Sequence, residues 1–316
     1  MAKIKLPGTR RVSWPAILSL LMYASAYLAS LVLLSKFPHF DTGESLSVML
    51  VFGLGFSAIA WLASTGIKPA DVSVARPRRE SLLILAYLVF FAIFFLGWGL
   101  TAIRDTFIQE PLQSTVILTA KILGMVLLPV LLFSLLGYSP QSWFTRWRFG
   151  LKEWRVFLIM AAALALLQIV AGRGIHTVSA LPQSLTLILL LAPMAFIRES
   201  LEAGLCEEFL FRNLLQERFT AWLRSPVSGI LIMAVIFGLV HAPGYYLRDA
   251  FTAEGMTQRP DILTAMAYSI AVVSPLGIMF GVLWMRTRNL LLVVLLHGWT
   301  DLFPNLAGFV QIWAPN

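Results

Sequence analysis

The chain has 316 residues, of which 59% are hydrophobic and only 13% charged. Soluble domains carry about 25% charged residues, so the composition excludes an ordinary soluble protein and indicates an integral membrane protein. The formal net charge of +8 does not indicate nucleic-acid binding, because Lys and Arg cluster in short loops where they set orientation and meet anionic lipid. The single cysteine, Cys206, excludes an intramolecular disulfide and a zinc site built from several cysteines.

Ten apolar runs, taken in chain order, are candidates to cross the bilayer. The first six are 14–34, 46–64, 81–103, 116–136, 156–171 and 185–197. The last four are 205–223, 227–240, 262–284 and 290–302. A helical span needs about 20 apolar residues, and several of the later runs are shorter. The sequence therefore predicts eight to ten spans.

Run length also predicts the fold class. Strands of a membrane barrel would be alternating segments of about ten residues, whereas these runs are longer and continuous. We therefore predict an all-α protein, a polytopic transmembrane bundle of about eight to ten helices. Residues 1–184 are predicted to form N-terminal transmembrane helices of unassigned role, and 185–316 a catalytic transmembrane core.

Basic residues in the early loops predict the orientation. Segments 3–11, 68–79 and 146–155 hold four Lys or Arg each, whereas the alternate loops 36–45 and 104–113 hold one each. This bias places the N-terminus in the cytoplasm. We expect a multi-pass protein of a prokaryotic inner membrane.

Three clusters of ionisable residues interrupt the apolar segments of the last third. In chain order they are Glu207-Glu208 with Arg212, His241 four residues after Phe237, and His297 four residues before Asp301. Each ionisable group costs about 2.5–3.5 kcal/mol at a helix centre on insertion scales, so such groups usually mark function. Adjacent glutamates and two histidines indicate acid–base chemistry inside a membrane.

Helical spacing predicts partners within these clusters. Glu208 and Arg212 are four residues apart, so they can form an ion pair that makes burial tolerable. Glu207 is rotated by about 100° from Glu208 and can face a cavity. His297 and Asp301, also four apart, can point at one site.

Chain lengths test whether the clusters can meet. Arg224-Ser225-Pro226 is a predicted turn, with Glu207 18 residues before Ser225 and His241 16 residues after it. At about 1.5 Å per residue, an antiparallel hairpin puts the two at heights that differ by roughly 3 Å. A competing topology lays 205–223 on the cytoplasmic surface and separates Glu207 from both histidines. We favour convergence on the cytoplasmic side.

These residues resemble the CPBP (CAAX prenyl protease and bacteriocin-processing, or Abi) family of glutamic-type intramembrane endopeptidases. Its motifs EExxxR, FxxxH and HxxxN or HxxxD occur here in that order, between about 187 and 304. The resemblance implies an all-helical protease whose cavity opens to the cytosol. It implies that Glu207 activates water, that His241 holds or co-activates it, and that His297 and Asp301 stabilise the oxyanion. Glu208, Arg212 and Phe237 are supporting residues.

Several alternatives remain open at the level of sequence. Glu207, His241 and His297 could hold zinc with an open position for water, but no HExxH spacing is present, and we favour a metal-free mechanism without a cofactor. An ionised Asp301 would repel an oxyanion, so it is either protonated or orients His297 while another group donates. Lys121, alone in an apolar run, could snorkel, pair or contact substrate.

The predicted partners are the lipid bilayer and a membrane-anchored protein or peptide, with no nucleic acid; oligomeric state and lipidation of the substrate are not predicted. Two functions from other classes compete with proteolysis. One is a proton-coupled transporter that uses the buried carboxylates and histidines as a relay. The other is a non-catalytic membrane scaffold.

Overall fold

The computed structural model describes residues 13–37, 40–70, 74–139, 147, 149–247 and 259–314, and these residues form ten helices and no strand. The helices are α1 (Trp14–Leu34), α2 (Thr42–Ala63), α3 (Pro77–Thr106), α4 (Leu112–Leu135), α5 (Leu151–Ala171), α6 (Gly174–Ser179), α7 (185–223), α8 (Pro226–Leu247), α9 (Ile262–Thr287) and α10 (Leu290–Trp313). The all-α prediction is confirmed. The first basic stretch, 3–11, lies outside the described residues, so the predicted orientation stays a prediction.

Eight of these helices, all except α6 and α7, are long and apolar enough to cross a membrane. The predicted range of eight to ten spans is therefore confirmed at its lower end. The runs predicted separately at 185–197 and 205–223 are parts of one continuous helix, α7. Charged residues in the middle of α7 conceal this continuity in the sequence. Hydropathy shows where an apolar run ends, but a helix can continue past that point.

The turn predicted at 224–226 is confirmed, because α7 ends there and α8 begins after a polar cap. Ser225 accepts a hydrogen bond from the Ser228 amide at 3.1 Å, and Pro226 occupies the first turn of α8. Arg224, which precedes this cap, has a left-handed φ of 51°. Asn289 caps α10 in the same way, through the Leu292 amide at 3.1 Å.

The chain divides into two compact units. The first comprises Met1–Leu62, Pro69–Thr101 and Phe211–Thr287, and the second comprises Ala63–Lys68, Ala102–Leu210 and Arg288–Asn316. The second unit contains residues from both sides of the division predicted between 184 and 185. That division concerns the roles of the two parts of the chain, and it stays a prediction.

In the first unit, polar pairs join helices that would otherwise share only apolar contacts. The Tyr23 hydroxyl of α1 lies 2.7 Å from the Ser274 hydroxyl of α9. Arg218, in the last turns of α7, forms a 3.0 Å ion pair with Glu80 of α3, and both side chains are buried. This pairing helps to explain how the charged end of α7 is tolerated inside a packed bundle, because the buried charges of Arg218 and Glu80 offset each other.

In the second unit, α10 packs against the first half of α7 at a crossing made by two glycines. A side-chain carbon added at Gly204 would collide with the Val294 carbonyl oxygen, and one added at Gly298 would collide with the Ser200 hydroxyl. Only glycine permits backbones to approach this closely. The crossing brings the Glu207-Glu208 stretch of α7 to the level of His297 on α10.

Candidate active site

The adjacent glutamates lie between two irregular turns of α7. The segments Ser200–Leu205 and Phe209–Gln216 are π-helical, and Cys206–Glu208 forms the short α-helical piece between them. A π turn closes an i→i+5 hydrogen bond, is rare, and occurs frequently at functional sites. π-Helical stretches also occur in α2, α3, α4 and α9, so the feature specific to this site is that two of them flank the adjacent glutamates.

Glu208 binds His297 across the α7–α10 crossing. The Glu208 side chain is 0% exposed, and its Oε1 accepts a 2.8 Å hydrogen bond from Nδ1 of His297. A carboxylate acceptor requires the hydrogen on Nδ1, so this contact determines the tautomer and the orientation of the ring. Sequence reasoning missed this partner, which is 89 residues away. The predicted ion pair of Glu208 with Arg212 stays a prediction.

The other ring nitrogen of His297 faces two carboxylates. Its Nε2 lies 3.5 Å from Asp301 Oδ2 and 3.9 Å from Glu207 Oε2. The second distance is an electrostatic contact, since it exceeds that of a direct hydrogen bond. The Glu207 and Asp301 side chains are 13% and 28% exposed, respectively. The structure thus brings Glu207, Glu208, His297 and Asp301 together. The two more accessible carboxylates, Glu207 and Asp301, lie on the Nε2 side of the imidazole ring.

The other predicted residues lie in the first unit, around Phe237. The Arg212 guanidinium is 4.8 Å from the centroid of the Phe237 ring, and Phe211 packs edge-on against the same ring. The His241 ring lies 5.1 Å from the Phe237 ring. His241 Nδ1 is 2.7 Å from the Phe237 carbonyl oxygen, which accepts its hydrogen. Phe237 therefore supports both Arg212 and His241, and the catalytic part expected of His241 stays a prediction.

A second polar cluster lies beside the site in the second unit. Lys121 Nζ is 3.5 Å from Glu202 Oε1, and Arg198 is 2.7 Å from the other oxygen of Glu202. Arg198 also contacts Glu199 at 3.2 Å, and Asn305 donates to Glu199 at 3.2 Å. Of the three possibilities left open for Lys121, the structure shows pairing. The Arg198–Glu202 spacing of four residues was the one available signal for this cluster.

Within the described ranges, no group of three or more His, Cys, Asp or Glu side chains is arranged to hold a metal ion. Both the zinc alternative and the favoured metal-free mechanism stay predictions. Cys206 is fully buried.

Eight apolar helices define a multi-pass membrane protein, and a cluster of carboxylates around the buried His297 imidazole lies within it. Residues 188–303 match the family described as type II CAAX prenyl endopeptidase Rce1-like, a family of peptide hydrolases, and this match confirms the resemblance that the motifs predicted. The matched segment covers less than half of the chain and contains all three motifs. Neither the comparison with curated proteins nor the comparison with solved structures gives a match.

Proposed function

We propose that the protein hydrolyses a peptide bond of a membrane-associated protein or peptide near the cytoplasmic face, with water activated by Glu207. One observation carries this proposal. Nδ1 of His297 is held by the buried Glu208, while its Nε2 faces the partly exposed Glu207 and Asp301. Acid–base hydrolysis needs a base that can reach water and an oriented donor beside it.

In the first step, the Glu207 carboxylate takes a proton from water as the water oxygen attacks the scissile carbonyl carbon. The carbonyl electron pair moves to oxygen and forms the oxyanion of a tetrahedral intermediate. Of the two adjacent glutamates, Glu207 suits this role because Glu208 is fully buried and already bonded to His297. Glu207 has 13% of its side chain exposed and can meet water.

In the second step, His297 stabilises the oxyanion and the intermediate collapses. An imidazolium that keeps its Nδ1 hydrogen on Glu208 directs its Nε2 hydrogen at the oxyanion, where a preorganised donor is most effective. The C–N bond then breaks, and Glu207 returns its proton to the leaving amine. Asp301 either donates as a neutral acid or orients the imidazolium from its distance of 3.5 Å.

The role proposed for His241 in this mechanism is taken from the FxxxH motif of the family. Its Nδ1 hydrogen is engaged by the Phe237 carbonyl, so Nε2 is the nitrogen that carries a lone pair in the neutral ring. That nitrogen suits a residue that holds or co-activates water. We include His241 in the proposal on this ground.

For the substrate, we propose a membrane-anchored protein or peptide whose cleaved bond lies close to its lipid-embedded or lipidated part. The family description names prenyl endopeptidases, so a prenylated C-terminal segment is the first substrate to test. The proposal includes a cytoplasmic N-terminus, a prokaryotic inner membrane and no cofactor.

The test compares wild type, Glu207→Gln and the control Glu44→Gln, in which an exposed glutamate of α2 is changed in the same way. Each protein is reconstituted in liposomes with a prenylated and an unmodified peptide, and new termini are mapped by mass spectrometry. We expect Glu207→Gln to lose cleavage by about 10²-fold or more, in the range of general base catalysis. Cleavage that survives this change refutes the role of Glu207, and proton flux without cleavage supports the transporter.

A further inference from the structure

Lys121 is a mostly buried cation in the middle of a predicted span. It is the single Lys, Arg, Asp or Glu in the 24 residues of α4. Its side chain is only 15% exposed. An ionisable residue inside a membrane helix is costly to insert and is a functional-site hypothesis by default. The mechanism proposed above does not use it.

The ammonium of Lys121 is directed at Glu202 of α7. The distance from Nζ to Oε1 is 3.5 Å, and the second oxygen of Glu202 is held at 2.7 Å by Arg198. Glu202 is therefore bound from two sides, by a cation of a neighbouring helix and by a cation one turn earlier on its own helix. Arg198 continues through Glu199 to Asn305 of α10. Charged and polar groups thus join the three helices α4, α7 and α10.

Glu202 lies inside the π turn that precedes the catalytic glutamates. This turn comprises Ser200–Leu205, and Cys206–Glu208 follow it directly. An i→i+5 turn holds one residue more than an α-helical turn, so all later side chains are rotated by about 100°. The π turn therefore decides whether Glu207 and Glu208 point toward His297. A rare turn of this kind persists when neighbouring contacts hold it.

The helix that carries Lys121 lies along the same part of α7. α4 packs against both Ser200–Leu205 and Cys206–Glu208. Through Glu202, Lys121 is thus bound to the turn of α7 that directly precedes the adjacent glutamates.

We propose that Lys121 is a positioning residue: by binding Glu202 it holds the π turn of α7 that presents Glu207 to His297 and water. This inference rests on the proposed function of Glu207. It assigns a role in the reaction to a helix outside the segment that matches the family.

The first experiment measures kcat and KM for Lys121→Met, Lys121→Arg and the control Lys152→Met. Lys152 belongs to the same unit but donates to the carbonyl oxygen of Gly66 at 2.8 Å, away from the site. We expect kcat of Lys121→Met to fall by about 10- to 100-fold with KM within about twofold, because a displacement of about 1 Å has that effect on catalysis. Lys121→Arg keeps the charge, and we expect kcat within about fivefold of wild type.

The second experiment tests whether Lys121 acts through Glu202. If it does, Glu202→Gln lowers kcat, and the double variant Lys121→Met/Glu202→Gln is no slower than the slower single variant, because both changes break the same contact. The inference is overturned if the loss of kcat in the double variant equals the product of the two single losses, or if Glu202→Gln keeps full kcat. Thermal unfolding of each variant in detergent identifies any loss that comes from misfolding. Should Lys121→Met unfold, Lys121→Arg and Glu202→Gln still decide the question.

The two proposals fail in different ways. If Glu207→Gln is inactive while Lys121→Met is as active as Lys152→Met, the positioning inference is wrong and the proposed function stands. If Glu207→Gln cleaves normally, the proposed function is wrong, and the positioning role falls with it.

Discussion

Substituting Gly298→Ala should separate the two helices that carry the site. The added carbon would lie 2.6 Å from the Ser200 backbone nitrogen, whereas ordinary contact begins at 3.4 Å. Relief of this overlap requires α10 to move from α7 by about 0.8 Å, a shift that the rigid backbone of both helices transmits to the adjacent His297. The 2.8 Å bond from His297 to Glu208 would then lengthen to about 3.6 Å, where it is no longer a hydrogen bond.

We expect Gly298→Ala to lower the cleavage rate by about 10- to 100-fold, because a misplacement near 1 Å has that cost. The overpacking should also reduce the free energy of unfolding by about 1–3 kcal/mol. The assay is peptide cleavage in liposomes, with thermal unfolding of the same samples. The matched control is Gly308→Ala on the same helix, where an added carbon meets nothing within 4 Å. Equal activity of the two variants would refute the argument that the glycine crossing sets the site geometry.

Three further substitutions test single contacts. Glu208→Ala should lower kcat by about 10-fold or more and stability by about 1–3 kcal/mol, because His297 Nδ1 loses its buried acceptor; wild-type kinetics would exclude an orienting role. Asp301→Asn should keep cleavage within about fivefold, because an amide can donate to an oxyanion, and Asp301→Ala should lose more; equal rates would remove Asp301 from the mechanism. Trp284→Phe, which leaves Glu217 without its 2.8 Å indole donor, should lower the unfolding free energy by about 1–3 kcal/mol in a denaturation assay, and unchanged stability would contradict this.

The order and approximate positions of the eight membrane-length helices could be predicted because hydropathy is a local property. A run of apolar side chains crosses the bilayer wherever its neighbours lie, and the caps at Ser225 and Asn289 are likewise read from adjacent residues. The motif order was sufficient to select Glu207 and His297, because ionisable groups in apolar segments are rare.

The errors came from contacts between distant segments. The continuity of α7 was missed because Arg198, Glu199 and Glu202 interrupt its apolar pattern, and their partners on other helices were not visible. A search for partners four residues away likewise could not find the bond from Glu208 to His297.

Sequence alone determined that this is an all-helical membrane protein with acid–base residues in its last third, since insertion energy and helical period depend on neighbouring residues. Tertiary structure decided which carboxylate holds the imidazole, namely Glu208, and which one keeps an exposed surface, namely Glu207. It also showed that Lys121 is bound to Glu202. These outcomes depend on the packing of α4, α7 and α10, where two glycines and one π turn set positions that no local pattern encodes.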